Sequence, residues 1–364
     1  MKTLVLLLLL LSISPCKTSE EIGIETAQAT GVYELEEELG EEERGISGEL
    51  VLDGSYDAQG ALSRLWKRIL DTARDQLHQE LRFALSILAV AFLSSAASVV
   101  IPGQKGAEYL EIAACCTVAL LLAGSVDSIV GQAGETLNHL RDYAKISMPA
   151  FFGTVAACGA AASASVKFAS ASLATELFME LTQRFILPVI YAYLALSVSS
   201  SVFDNAILQT AIRCAKWGAV TAMTALTTGL CAYITLSGVI SGSADAAAVK
   251  TTKTLIATML PVVGGILSDS ASAMLAAAGL IKNSAGVFCL IAVCAICAGS
   301  FAVLSIKMLV LKGTAAMSDL AGSGRLSKLL NHVGSVFGML LGLIGCYGMM
   351  LFLTIMSGIR MVNP

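Results

Sequence analysis

Long apolar runs, separated by short polar segments, fill the chain between residues 84 and 359. About 20 consecutive apolar residues in a helix are enough to cross the roughly 30 Å hydrocarbon core of a bilayer. The pattern therefore predicts an all-α polytopic membrane protein whose transmembrane domain covers residues 84–364. We expect eight spanning helices, at about residues 84–101, 109–130, 147–166, 185–203, 217–240, 254–281, 285–306 and 333–359.

The run at 254–281 differs from the others because polar and helix-breaking residues interrupt it. The sequence Ser268-Asp269-Ser270 separates two apolar pieces, each too short to cross the membrane alone. Irregular backbone at membrane depth is tolerated only inside protein or beside water. We therefore expect one discontinuous helix, which either spans the bilayer or is re-entrant. The candidate conduit or broken-helix residues are Pro261, Gly264, Gly265 and Asp269.

Asp269 has two interpretations. A carboxylate near the bilayer centre costs several kcal/mol unless it is protonated, paired or hydrated, which favours a lining or gating role. Alternatively, Ser268, Asp269 and Ser270 accept hydrogen bonds from the free amides of a helix that begins near Ala271. Asp127, in the second apolar run, is a further intramembrane acid, unless it lies at the membrane boundary.

The segment before the first span has three parts. Lys2 followed by a leucine-rich stretch is typical of a secretory signal peptide, which we expect to occupy residues 1–16 and to be cleaved. Residues 17–58 hold thirteen acidic residues against two basic ones, which predicts a disordered, acidic extracytoplasmic segment. Residues 59–82 repeat apolar positions every three or four residues. This spacing predicts an amphipathic helix that lies on the outer leaflet or binds another protein.

Composition agrees with membrane insertion and bears on topology. The chain is 56% hydrophobic and 14% charged, with a mean hydropathy of +0.77, whereas soluble domains contain about 25% charged residues. With the mature N-terminus outside, the predicted spans place Arg141 and Lys145 on an outer connection. They place Lys167 and Arg184 on an inner connection. The excess of basic residues on inner connections predicts that loop 307–331 is cytoplasmic and that residue 364 lies outside.

The last apolar run carries glycines at four-residue spacing, at Gly334, Gly338 and Gly342. Glycine at this spacing lets two helix backbones approach closely inside a membrane. These residues are therefore candidate helix-packing positions. The partner helix belongs either to the same subunit or to another one, so a homo-oligomer stays open.

No constellation of residues points to an enzyme. His78, His139 and His332 have no metal-ligand spacing, and no phosphate-binding loop or nucleophile elbow is present. We therefore expect no enzymatic activity, no cofactor and no metal. The nine cysteines after Cys16 lie in or beside apolar segments and are interpreted as small buried hydrophobes. The acidic N-terminal segment, on a chain with net charge −4, gives no indication of nucleic-acid binding.

The run from residue 261 to residue 296 carries the elements PVVGGILSD and IKNSAGV. This run resembles the signature region of the stage III sporulation protein AE family. The resemblance implies an endospore-forming bacterium and a multipass protein in the mother-cell membrane that surrounds the forespore. It also implies a channel-like complex across two membranes, needed for forespore development. The implied partners are the other stage III A operon proteins, including an ATPase and a ring-forming protein, and the stage II Q protein of the forespore.

Two alternatives from other classes remain open. An independent secondary transporter of small solutes would share the broken helix and the midplane acid, although no inverted repeat is evident in the sequence. A membrane scaffold that anchors extracellular rings would account for the glycine-rich helix faces and the N-terminal segment. The family resemblance, for its part, transfers no chemical role to a particular side chain.

Overall fold

The computed structural model describes residues 58–100, 104–158, 160–203, 205–259 and 264–360, with only the backbone described for most of 58–75, for 99, 104, 105 and 107, and for 237–259 and 264–284. Every regular element in these ranges is helical, which confirms the all-α prediction. The elements are α1 (Ala58–Val100), α2 (Gln104–Ala157), α3 (Ala161–Leu181), a π-helical segment (Thr182–Ile186), α4 (Leu187–Val202), α5 (Ala206–Met259), α6 (Gly264–Leu320) and α7 (Gly324–Ile359).

The structure describes only part of the N-terminal region for which the sequence makes predictions. The predicted signal peptide and almost all of the acidic segment lie outside the described residues. Helix α1 includes both the predicted amphipathic segment 59–82 and the predicted first span, so the two form one continuous helix. No glycine or proline lies between residues 61 and 100, and nothing in the sequence therefore interrupts the helix there.

The described helices contain six candidate membrane spans, so the predicted count of eight is not confirmed. By length and apolar character, these are Gln76–Ser98, Glu108–Ala157, Ala161–Val202, Ala206–Leu236, Ala285–Leu320 and Gly324–Ile359. Several are longer than the roughly 20 residues that a bilayer requires. Helix α2, with 54 residues, is about 80 Å long at 1.5 Å per residue.

The predicted span 147–166 is wrong as a single helix. Helix α2 ends at Ala157 and α3 begins at Ala161, so the chain turns back in the middle of that run. The sequence predicts connections on opposite sides of the membrane at 131–146 and 167–184. In the structure both segments are helical, and they face each other. Polar residues such as Glu, Lys and Arg have good helix propensity, and they therefore do not by themselves end a helix.

Helix α7 lies at the centre of the bundle. It packs along most of α6 and also contacts α2, α4 and α5. Its apolar residues at three- and four-residue spacing are almost all buried, including Phe337, Leu340 and Tyr347. A helix whose apolar positions are buried on several sides fixes the relative placement of its neighbours. The core therefore forms around α7.

The turns alternate between two ends of the bundle. The α6–α7 turn passes through Gly322, which has a positive φ of 84° that glycine adopts readily. Arg325, next to this turn, contacts both the start of α2 and the end of α4. At the other end, Gly358 of α7 meets Phe151 of α2. The helices thus run back and forth between these two ends.

Candidate functional site

Charged and amide side chains cluster along one stretch of α2 and the facing stretch of α3, and we call this cluster the polar band. Its α2 members recur at three- and four-residue spacing, and its α3 members extend into the π-helical segment. The polar band consists of Glu135, Asn138, His139, Arg141, Asp142, Lys145, Glu176, Glu180, Gln183 and Arg184.

The centre of the polar band is an ion pair between Arg141 and Glu176. The Arg141 Nε donates to Glu176 Oε1 at 3.2 Å, and a terminal guanidinium nitrogen donates to Oε2. Lys145 Nζ lies 3.7 Å from Glu176 Oε1 and 3.9 Å from Asp142 Oδ1. Two-point contacts of this kind are stronger and more directional than a single ion pair. The carboxylate of Glu176 therefore links both helices of the hairpin.

The outer members of the polar band are more exposed than its centre. Arg141 is 31% exposed, whereas Asp142 and Arg184 are 67% and 73% exposed. Glu180 and Arg184 pair along one helix face, with 3.6 Å between Oε1 and a guanidinium nitrogen. The Gln183 amide donates to Asn138 Oδ1 at 3.4 Å, which adds a further side-chain contact between the two helices. The polar band thus presents an open, hydrophilic surface.

Two contacts place the polar band at the level of the most apolar parts of the bundle. Phe178, two residues after Glu176, packs against Tyr347 with ring centroids 5.3 Å apart. Thr136 forms a 2.6 Å hydrogen bond with Ser300. Tyr347 and Ser300 belong to stretches of α7 and α6, residues 329–359 and 283–306, that contain no Asp, Glu, Lys or Arg. The charges therefore lie at the depth where α6 and α7 are apolar.

The backbone beside the polar band departs from regular α-helix geometry. Pro188 lacks the N–H that the carbonyl of Arg184 would accept in an α-helix, and Pro149 does the same for Lys145. The π-helical segment precedes Pro188, and the Leu187 N–H donates to the carbonyl of Thr182. Single π-helical turns frequently occur at functional sites. Among the described residues, the buried hydroxyl of Thr182 has no hydrogen-bond partner.

A second polar cluster lies at the end of the bundle that holds the α6–α7 turn. The guanidinium of Arg325 lies 2.6 Å from Glu108 Oε1 and 3.6 Å from Glu111 Oε2. It also donates to the carbonyl of Val202 at 3.3 Å. The Arg325 backbone N–H donates to Glu111 Oε1 at 2.8 Å. This residue therefore joins α2, α4 and the first turn of α7.

Three further polar contacts join helices inside the bundle. Lys167 is only 2% exposed and donates to the carbonyl of Ile234 at 2.6 Å. Lys307 pairs with Glu80 at 3.2 Å, and the Tyr193 hydroxyl is 2.8 Å from His332 Nδ1. The prediction that Lys167 lies on an inner connection is wrong, because the side chain is buried between α3 and α5.

The candidate residues of the broken helix lie at the edge of the described chain. Pro261 is outside the described residues, and Gly264 and Gly265 begin α6. Asp269 lies within the α6 backbone, and its side chain is outside the described residues. The capping interpretation is wrong about where the helix begins, because α6 starts at Gly264 and not near Ala271. The Ser268-Asp269-Ser270 sequence therefore lies inside α6 and does not interrupt it.

The candidate packing glycines face helices of the same chain. A Cβ added at Gly338 would lie 3.1 Å from Met308 Sδ of α6. At Gly334 it would lie 3.3 Å from Lys312 Cγ, and at Gly342 it would lie 3.2 Å from Met223 Cε of α5. Asp127 is exposed on α2, inside a continuous helix. The glycines thus occupy close approaches within this bundle.

The chemistry of the remaining candidates is limited. Among the described residues, no group of three or more His, Cys, Asp or Glu side chains is placed to hold a metal ion. The interpretation of the cysteines as buried hydrophobes is correct for Cys115, Cys158 and Cys289 but wrong for Cys116 and Cys214, which are exposed. An exposed thiol on an apolar helix is chemically compatible with a lipid-facing surface.

The sequence pattern does not identify the polar band, because it predicts the members of the band on opposite sides of the membrane. The sequence predicts Arg141 and Lys145 outside and the segment of Arg184 inside, whereas the structure joins the two segments through Glu176 and through the Gln183–Asn138 contact. Helical spacing gave a signal for this arrangement, since Glu180 and Arg184 are four residues apart and Asp142 and Lys145 are three apart. Such pairs indicate that a charged segment continues as a helix.

Among the described residues, six helices are long and apolar enough to cross a membrane and share a buried core, which fits a helical membrane protein. The family model of stage III sporulation protein AE matches residues 49–360. The chain therefore belongs to the stage III sporulation protein AE family, as the resemblance indicated, and the family implies a role in stage III of sporulation. Searches of curated protein sequences and of solved structures give no match.

Proposed function

We propose that this chain is the multipass membrane component of a channel-like or secretion-like complex that joins mother cell and forespore and is required for forespore development. The observation that carries the proposal is family membership over residues 49–360. The proposed location is the mother-cell membrane that surrounds the forespore. The six candidate spans support a function that is carried out within a membrane.

The proposed partners supply what this chain lacks in its sequence. With no phosphate-binding loop, the chain is proposed to be non-enzymatic, and ATP hydrolysis is assigned to an ATPase of the same complex. A ring-forming stage III A protein and the stage II Q protein of the forespore are proposed to continue the path across the space between the two membranes. The chain then contributes the part of the path inside one bilayer.

The polar band supports a path for hydrophilic material. A charged side chain at the centre of a bilayer costs about 2.5–3.5 kcal/mol on insertion scales, and much more in simulations of an isolated helix. Several exposed charges at one depth are therefore retained only where water or protein covers them. A protein that only anchors rings has no need for such charges within its membrane-spanning helices.

Gene replacement in an endospore-forming host tests the proposal. Deletion is expected to abolish heat-resistant spores and late forespore transcription, and the full chain is expected to restore both. Co-purification from sporulating cells should recover the ATPase and the ring-forming protein with the tagged chain. Normal sporulation after deletion would contradict the proposal.

A flux measurement distinguishes the independent-transporter alternative. The purified chain alone, reconstituted in vesicles, is expected to show no saturable, ion-coupled uptake of small solutes. Uptake that saturates and depends on an ion gradient would instead favour the transporter. Recovery of the ring together with unimpaired late forespore transcription in polar-band variants would favour the scaffold.

A further inference from the structure

The polar band lies on a lateral surface of the bundle, at the depth of an otherwise uncharged layer. Helix α7 carries no Asp, Glu, Lys or Arg over 329–359, α6 carries none over 283–306, and α5 carries none over 217–244. The contacts of Phe178 with Tyr347 and of Thr136 with Ser300 place the polar band within this layer. The polar band is thus a charged face at a depth where these stretches of α5, α6 and α7 carry no charge.

The described part of the chain does not cover this face. Lys145, Asp142, Glu180 and Arg184 each leave more than half of the side-chain surface exposed. Lipid tails offer no hydrogen-bonding groups to such side chains, so the exposed charges need water or protein. Their neighbours on the same helices, such as Leu173 and Leu177, are also exposed but apolar and suit contact with lipid. The hydrophilic surface is therefore limited in width.

We propose that the polar band lines a water-filled cavity within the bilayer, and that further copies of this chain form the opposite wall of the cavity. The inference deepens the proposed function, because it names the surface that contributes to the path. The inference depends on the proposed function only for the identity of the material that passes through the cavity. Its physical basis is the depth and the exposure of the charges.

A second copy is the occupant that the charges favour. The polar band contains acidic and basic groups in nearly equal number, namely Glu135, Asp142, Glu176 and Glu180 against Arg141, Lys145 and Arg184. A face with both signs allows opposite charges to meet across a symmetry axis, whereas a face of one sign would repel its copy. Balanced charge also allows a hydrated lumen without a large electrostatic barrier to either sign of ion.

Thiol accessibility in the full chain alone tests the hydration of the polar band. The native cysteines are replaced, and single cysteines are introduced as Asp142→Cys, Glu180→Cys and Thr228→Cys in reconstituted vesicles. Thr228 is the matched control, because it is exposed on α5 and lies at the level of Tyr347. That level follows from two contacts in the same register, Lys216 with Ser335 and Met223 with Gly342.

A small, cationic, membrane-impermeant methanethiosulfonate reagent is the probe. Thiolate forms readily in water but not in hydrocarbon, so Asp142→Cys and Glu180→Cys are expected to react at least about tenfold faster than Thr228→Cys. A fluorophore attached at Thr228→Cys should be quenched by nitroxides on the acyl chains, which confirms the depth. Equal, slow reaction at all three positions would overturn the proposed hydration.

Cross-linking tests the second copy. A bifunctional thiol reagent should join two Asp142→Cys chains into a dimer and leave Thr228→Cys chains monomeric. Fast thiol labelling without a cross-linked dimer would overturn the part of the proposal that assigns the opposite wall to this chain. Absence of quenching at Thr228 would show that the level of the polar band lies outside the hydrocarbon core of the bilayer. That result would overturn the whole inference. None of these results depends on the sporulation partners, so they are separate from the genetic test.

Discussion

Arg141 on α2 and Glu176 on α3 form a two-point ion pair across the hairpin in which α2 ends at Ala157 and α3 begins at Ala161. The pair joins two residues that are 35 positions apart in the chain. This contact excludes a single membrane-spanning segment between the two residues, because such a segment would place Arg141 and Glu176 on opposite sides of the membrane. One contact therefore changes the number and the arrangement of the spans.

The first prediction concerns charge reversal at one or both residues of this ion pair. Glu176→Arg leaves like charges in contact and is expected to lower the thermal unfolding midpoint in lipid nanodiscs by several degrees. The double variant Arg141→Glu/Glu176→Arg should recover most of that loss. Exposed pairs are worth about 1 kcal/mol or less, whereas an unpaired charge at a water-poor site costs about 3–5 kcal/mol. Because the pair is partly exposed, we expect the loss of unfolding free energy in Glu176→Arg to lie between these two limits.

The control for this prediction is Asp142→Asn. Asp142 lies 3.9 Å from Lys145 and is two-thirds exposed, so its loss should change stability by less than about 1 kcal/mol. A double variant that is no more stable than Glu176→Arg alone would show that the pair does not act as a unit.

Packing around the α7 glycines gives the second prediction. Gly338→Leu places a side chain where Met308 Sδ is 3.1 Å from an added Cβ, and overpacking of this kind costs about 1–3 kcal/mol. Gly299→Leu is the control, because nothing lies within 4 Å of a Cβ added there. Thermal unfolding and the recovery of intact protein from membranes provide the measurement. Equal stability of the two variants would contradict the close approach of α6 and α7.

Arg325 gives the third prediction. Arg325→Ala removes contacts to Glu108, Glu111 and Val202 and is expected to cost about 1.5–3 kcal/mol, the usual range for hydrogen bonds to a charged group. Lys328→Ala, a change of an exposed cation one helical turn away, should be nearly neutral. Limited proteolysis near the α6–α7 turn should become faster only in the first variant. Similar proteolysis in both variants would show that the cluster does not hold this end together.

Membrane sidedness gives the fourth prediction. The α6–α7 turn is expected to face the cytoplasm and residue 364 the opposite side, in agreement with the basic residues Lys312, Arg325 and Lys328 near the turn. Leu320→Cys is a suitable reporter, because Leu320 is 84% exposed, whereas Ser323 is only 4% exposed. An impermeant thiol reagent should label Leu320→Cys in inverted vesicles and not in intact cells. Labelling in intact cells would reverse the orientation.

Asp269 gives the fifth prediction. The residue lies beyond the first turn of α6, which begins at Gly264, so it is too far from the helix start to act as an N-cap. Asp269→Leu is therefore expected to leave folding stability nearly unchanged. If the charge lines a path, Asp269→Asn should reduce spore yield while protein level stays normal. Sporulation at the wild-type level in Asp269→Asn would remove the charge-based role.

The sequence by itself determined the class of the protein and the family. Apolar runs of sufficient length predict membrane-spanning helices whatever their partners, because each helix satisfies its own backbone hydrogen bonds in lipid. The signature between residues 261 and 296 identified the family without any contact information. Local spacing also placed Gly334, Gly338 and Gly342 on one face of a helix.

Only the tertiary structure decided where the chain turns and which charges meet. A hydropathy pattern treats Arg141, Lys145 and Arg184 as the ends of spans, because an unpaired charge is costly in lipid. The pairing of Arg141 and Lys145 with Glu176 removes part of that cost, and the helices continue through the polar stretch. The stability of a charge inside a bundle depends on partners that are remote in sequence, and local periodicity therefore does not predict it.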